Sequence, residues 1–169
     1  YATECKSGHL TFKSQLEKSI YKTLLEQGFN PQNEPKTHEL WSGFIPITPF
    51  YDKESDAQQT KRINNGGTTK SKILTLKTGK IVGIRYTPDF YFKYGNLDVY
   101  IEAKGIENDV FYLKKKLFRK YLDDIFIRTK QHSIYFEIYT KKQLLQAIEI
   151  IKEYEPTLPK NSAELKMPT

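Results

Sequence analysis

The chain has 169 residues, of which 38% are hydrophobic and 14% aromatic, a composition for one globular domain with its own core and not for a disordered chain. Its one cysteine, Cys5, excludes an internal disulfide and a cysteine-based zinc site, and no apolar run approaches the roughly 18 residues that a membrane span needs. A formal charge of +7 and a pI near 9.3 favour an acidic partner, nucleic acid before an anionic membrane surface.

From Thr11 to Gln27 the apolar residues Phe12, Leu16, Ile20 and Leu24 recur at helical spacing, joined by Tyr21 and Leu25, and Gly28 follows where a helix would end. Glu39 to Tyr51 mixes aromatics, Ile45 and Ile47 with Pro46 and Pro49, the pattern of an edge strand or extended arm. Residues 52–72 are nearly all polar and include Gly66-Gly67, so a long exposed loop or insertion is expected. Ile73 to Leu76 and Ile81 to Ile84 flank a short glycine-containing connection and predict a hairpin.

Leu97 to Lys104 alternates as a strand does, with Leu97, Val99, Ile101 and Ala103 on one face and Asp98, Tyr100, Glu102 and Lys104 on the other. Val110 to Leu122 reads as a basic amphipathic helix with Val110, Leu113, Leu117 and Tyr121 inward. Ser133 to Tyr139 is a second alternating strand. Lys141 to Tyr154 is a helix with Leu144, Leu145, Ile148 and Ile151 inward, and residues 155–169, with three prolines, read as a tail. The order α, several β, α, β, α predicts a single α/β domain over residues 1–154, a mixed sheet flanked by helices.

Four residues stand out chemically. Glu17 falls between Leu24 and Tyr21 on the wheel of the first helix, so a carboxylate interrupts an apolar stripe and needs a cation, a basic partner or solvent beside it. Glu102 and Lys104 point from one sheet face and can meet over the same spot, although Glu-x-Lys on a solvent face is also an ordinary surface pair. Asp89, after Pro88, lies one turn before Glu102, and hairpin pairing brings the two carboxylates together; a turn aspartate capping its own backbone is the plainer alternative. An acidic pair binds a hard divalent cation through oxygen, and a lysine beside it can neutralise a phosphate or act on the attacking water, which suits phosphodiester hydrolysis.

Pro88-Asp89 followed by Glu102-Ala103-Lys104 resembles the signature of the PD-(D/E)XK, or restriction-endonuclease-like, nucleases. More narrowly, Phe12-Lys13-Ser14-Gln15-Leu16-Glu17, Tyr86-Thr87-Pro88-Asp89-Phe90 and Glu102-Ala103-Lys104-Gly105 are similar, in order, to the phage endonuclease I family of Holliday-junction-resolving enzymes. The resemblance implies a restriction-endonuclease-like fold and a Mg²⁺-dependent DNA endonuclease, with Mn²⁺ able to substitute. It implies that Asp89, Glu102 and Glu17 hold metal and that Lys104 assists catalysis. It further implies branched DNA as substrate, a homodimer among the possible assemblies, and a place in the cytoplasm of a bacterial host cell. The extra length between the first helix and Pro88 departs from the junction-resolving pattern, and similar blocks occur in transposon-type and restriction-type nucleases.

Lys114, Lys115, Lys116, Arg119 and Lys120 follow the catalytic strand closely and are the expected DNA-binding residues, with a merely solvated helix face as the alternative. Lys61, Arg62, Lys70 and Lys72 of the polar stretch are weaker candidates for a DNA clamp. His9, His38 and His132 show no ligand spacing and are read as structural or surface residues. The rival reading from another class is a catalytically silent DNA-binding module of the same fold.

Overall fold

The structure is a computed structural model that describes residues 5–105 and 108–160, and it divides into two compact units. Unit 1 is built from Tyr1–Leu40 and Arg85–Thr169, and unit 2 from Trp41–Ile84. The chain runs β1 (Cys5–Ser7), β2 (Leu10–Phe12), α1 (Gln15–Glu26), β3 (Gln32–Asn33), β4 (His38–Trp41), β5 (Tyr51–Lys53), α2 (Asp56–Asn64), β6 (Leu74–Leu76) and β7 (Ile84–Tyr86). It continues with β8 (Phe90–Tyr94), β9 (Leu97–Ala103), α3 (Asp109–Thr129), β10 (His132–Ile138) and α4 (Lys141–Tyr154), closing on a short 3₁₀ turn, Glu155–Thr157. The class is α/β, as composition and element order predict.

Unit 1 is organised by a mixed four-stranded sheet in the order β10-β9-β8-β3. β8 and β9 are an antiparallel hairpin closed by Gly95-Asn96, with Tyr94 opposite Leu97 and Phe90 opposite Ile101. Gly95 has φ +53°, in the left-handed region that favours glycine, and packs against the Glu155 side chain, whose Oε1 accepts the Asn96 N–H. β10 runs parallel to β9, from His132 beside Leu97 to Ile138 beside Ala103, and a parallel neighbour needs a long crossover, which α3 supplies.

The alternation of β9 holds, but both of its faces are covered. Leu97, Val99 and Ile101 join Phe90, Phe92 and Ile138 under α1 (Ile20, Leu24) and α4 (Leu144, Ile148, Ile151). On the other face Tyr86 and Tyr100 pack with Phe111, Phe118 and Leu122 of α3, and Tyr91 and Tyr135 lie against them. Phe118 is fully buried, with the rings of Tyr86, Tyr100, His38 and Tyr135 at 4.8, 5.3, 5.4 and 5.5 Å. Phe118→Ala is expected to destabilise unit 1 by about 3–5 kcal/mol, read from chemical denaturation, because this aromatic cluster has no smaller side chain able to refill the space.

The inward face of α3 differs from the expected one. Val110 and Leu113 are 63% and 53% exposed, whereas Phe111, Phe118 and Leu122 are buried. Both sets follow helical spacing, and the set with two phenylalanines removes more apolar area from water. α1 begins at Gln15, not Thr11, because Ser14 takes the N-cap and Phe12 belongs to β2. Its end is a two-bond cap at the glycine: Gly28 (φ +84°) N–H donates to Leu25 O and Phe29 N–H to Leu24 O, both at 3.0 Å.

The expected loop over residues 52–72 contains α2, which carries a full capping box: Ser55 Oγ accepts from Gln58 N while Gln58 Oε1 accepts from Ser55 N. The expected hairpin between 73–76 and 81–84 is also absent. β6 pairs with β5 instead, Tyr51 opposite Leu76 and Lys53 opposite Leu74, and Ile81 bridges to Phe44. Glu54 sits at the centre of this unit, 2% exposed, and accepts from Arg62 Nε at 3.1 Å and Ile73 N at 3.2 Å. Residues 155–160 are no free tail either, since Leu158 joins the core and Glu155 holds the β8–β9 turn. The rest of the expected tail lies outside the described residues.

Candidate active site

The end of the sheet where β8 begins and β9 finishes gathers the charged residues. Asp89 and Glu102 flank the last hairpin pair, Phe90 opposite Ile101: Asp89 sits in the bend just before β8 and Glu102 in β9, so the two carboxylates are neighbours at one sheet end. The Asp89 carboxylate accepts the Ala103 N–H at 2.8 Å, and its carbonyl accepts Glu34 N–H, also at 2.8 Å. It caps the neighbouring strand and not its own turn.

Glu102 is 4% exposed and has both carboxylate oxygens engaged: Oε2 accepts the Tyr86 hydroxyl at 2.6 Å, and Oε1 lies 2.7 Å from Lys104 Nζ. The Lys104 ammonium sits 3.8 Å from the centre of the Phe111 ring, so an aromatic face from α3 fixes it on its other side. The pair predicted from period-two geometry is formed, and it is no solvated surface bridge.

Glu17 is 6% exposed, and its environment is more local than the stripe position suggests. Its Oε2 accepts Lys13 N–H at 3.1 Å, its Oε1 accepts the Ser14 hydroxyl at 3.3 Å, and its own N–H donates to Ser14 Oγ. Glu17 therefore closes the N-terminus of α1, where a carboxylate is favoured by the free N–H groups. The signal, Ser14-x-x-Glu17, was legible as a capping box.

Electrostatics tie the four residues together. Burial first, then the carboxylate of Glu102, and more weakly that of Glu17, push the Asp89 carboxyl up to about 7, against the opposing pull of the Ala103 N–H and the Lys104 ammonium. Burial and the Glu102 charge drive the Tyr86 phenol far above its ordinary range, so it remains a hydrogen-bond donor at any usable pH. Tyr135, 3.3 Å from the Tyr86 hydroxyl, is raised by burial and by Glu102, Glu137 and Asp89.

Tyr86, Tyr135 and Glu137 are members of this cluster that the sequence reading passed over. Glu137 stands beside Glu102 on β10, and Lys115 Nζ donates to it at 3.1 Å. Lys115, expected among the DNA-binding residues, is thus paired with the carboxylate cluster, its side chain 14% exposed. Of the other expected DNA contacts, Lys120 pairs with Asp124 one turn on, Lys116 lies over the Tyr112 ring at 4.3 Å, and Arg119 is exposed. Lys114, Lys116 and Arg119 form no ion pair among the described residues.

Among the described residues no group of three or more His, Cys, Asp and Glu side chains is arranged as a ready metal cage. Glu102 is closed by Lys104 and Tyr86, and one Asp89 oxygen by Ala103. The donor chemistry nonetheless suits a hard divalent cation: two carboxylates side by side, one buried and one half-buried, repel, and burial and the Glu102 charge hold the Asp89 carboxyl above its ordinary range. Among the described residues no helix is long and apolar enough to cross a membrane. Comparison of the chain with protein-family models, with curated proteins and with solved structures finds no match.

Proposed function

We propose that unit 1 is a Mg²⁺-dependent DNA endonuclease of the restriction-endonuclease-like type, using Asp89, Glu102 and Lys104. One observation carries the reading. Two adjacent carboxylates, Glu102 buried and Asp89 half-buried, lie at a sheet end, with an ammonium 2.7 Å from Glu102 and the Asp89 carboxyl pushed up to about 7. Such an arrangement is costly for a fold and useful for phosphate chemistry.

Asp89 and Glu102 would hold the metal, with Glu17 as the third carboxylate in electrostatic reach. When bound, Mg²⁺ supplies a more acidic water and a polarised phosphoryl group. Lys104, beside Glu102, would neutralise charge developing on the phosphate. Tyr86 orients Glu102 by its hydroxyl. Lys114, Lys116 and Arg119, and Lys120 if it leaves Asp124, supply phosphate contacts from α3. Branched DNA is the first substrate guess, and the cytoplasm of a phage-infected bacterium the expected setting.

The test is cleavage of a four-way junction and of plain duplex by purified protein with Mg²⁺, with chelator and Lys104→Ala as controls. Cleavage of neither, or no difference from Lys104→Ala, overturns the reading. Tyr86→Phe is expected to raise the Mg²⁺ concentration needed for half-maximal cleavage by about tenfold, because it removes the hydroxyl that fixes a ligand without touching the ligand itself.

The closed hydrogen bonding of Glu102 favours one second reading, a structural ion network on a DNA-binding module. Salt-sensitive DNA binding that persists while every metal-dependent readout stays flat would select it.

A further inference from the structure

Unit 2 is built without an apolar core. No hydrophobic side chain of Trp41–Ile84 is buried, and the buried group at its centre is the Glu54 carboxylate clamped by Arg62. A two-stranded ribbon with one short helix is marginal in water unless an apolar face is covered. Here the apolar groups lie open: Ile47 is 100% exposed, Val82 79%, Leu74 70% and Tyr51 57%.

The register sorts these groups. Tyr51 and Leu76 face one another across β5 and β6, as do Lys53 and Leu74, so aromatic, aliphatic and cationic side chains share one open ribbon face. Trp41 and Phe44, 47% and 42% exposed, form an edge-to-face pair at 5.2 Å. The unit carries seven cationic against three acidic residues, a net of +4. Arg62 and Lys72 are paired with Glu54 and Asp56. Lys53, Lys61, Lys70 and Lys80 are exposed and form no ion pair among the described residues.

We propose that unit 2, through its open ribbon face and its exposed Trp41–Phe44 pair, binds an unpaired stretch of nucleic acid. A second copy of this chain is a poor occupant, because a two-fold contact would set a +4 surface against itself. Duplex DNA meets the charge but keeps its bases stacked inside, leaving the apolar groups uncovered. Unpaired bases offer flat apolar faces to Tyr51 and Trp41, while the phosphates meet the lysines. The choice of nucleic acid among acidic partners rests on the nuclease reading of unit 1.

Trp41 is the chain's one tryptophan, so its fluorescence reports from the exposed aromatic pair of unit 2. The full chain, kept in chelator so that nothing is cut, is titrated with a short oligothymidylate, a blunt duplex of equal length, and phosphatidylserine vesicles. Expected are saturable quenching by the single strand, binding at least about tenfold tighter than to the duplex, and about tenfold loss in Tyr51→Ser/Leu76→Ser. Lys53→Ala, a milder variant for the case in which the double one unfolds, is expected to lower the salt dependence by about one counterion. Equal affinity for duplex, a Trp41 signal that does not respond to the single strand, a response to vesicles alone, or a response that follows self-association overturns the proposal. Because no metal is present, single-strand binding without Mg²⁺-dependent cleavage would overturn only the nuclease reading, and cleavage without single-strand preference only this one.

Discussion

Lys104→Ala is expected to lower Mg²⁺-dependent cleavage by about a thousandfold while DNA binding in chelator stays within about twofold. The separation follows from geometry. The Lys104 ammonium is held between Glu102, at 2.7 Å, and the Phe111 ring, at 3.8 Å, and its side chain is only 20% exposed. It is placed to act at the carboxylates and contributes little to a general phosphate-binding surface, which the exposed cations of α3 supply. Single-turnover cleavage and anisotropy binding on the same preparations measure the two quantities. A variant that loses binding and cleavage together would make Lys104 a docking residue.

Asp89→Asn is expected to be inactive and, above neutral pH, more stable than the parent. The Asp89 carboxyl has an ordinary value of 3.8 and is pushed up to about 7 by burial and by Glu102. Folding therefore takes up a proton between those values: the group's contribution is fully present below about pH 4 and is lost as pH rises through 7. Each pH unit in that window is worth up to about 1.4 kcal/mol, so the parent is penalised by a few kcal/mol at pH 8. An asparagine carries no charge and can still accept the Ala103 N–H through its amide oxygen. Denaturation midpoints at pH 5 and pH 8 should show a gap between parent and variant that opens with pH. Added Mg²⁺ should narrow it by stabilising the parent alone. Equal stability at both pH values would show that the carboxylates do not oppose one another in the fold.

The strands and helices of unit 1 were largely legible because their periodicity is long and regular. β9 and α4 fall where alternation and helical spacing put them, and the Asp89–Glu102–Lys104 grouping follows from one hairpin and one strand. Where two patterns competed, sequence alone misled. Val110-Leu113-Leu117 and Phe111-Phe118-Leu122 are both helical stripes, and the decision belongs to the tyrosines of the sheet that receive Phe118. Tyr86, Tyr135 and Glu137 were missed for a similar reason: each reaches Glu102 only through sheet order, Glu137 by parallel pairing across α3. Residues 52–72 look like a loop in the sequence because the contact that organises them is a buried ion pair, Glu54 with Arg62, which leaves no hydrophobic period to detect.

Glu17 illustrates how one residue can satisfy two accounts. A helix cap explains its burial through Lys13 and Ser14, while its effect on Asp89 links it to the carboxylate pair. Removing it would fray α1 as well as change the charge beside Asp89.

A crystal soaked in Mn²⁺ and read by anomalous scattering is expected to show an ion bound between Asp89 and Glu102, with Lys104 shifted away from Glu102. A crystal with no ion at that sheet end, and with the Lys104–Glu102–Tyr86 network unchanged, would contradict the metal reading.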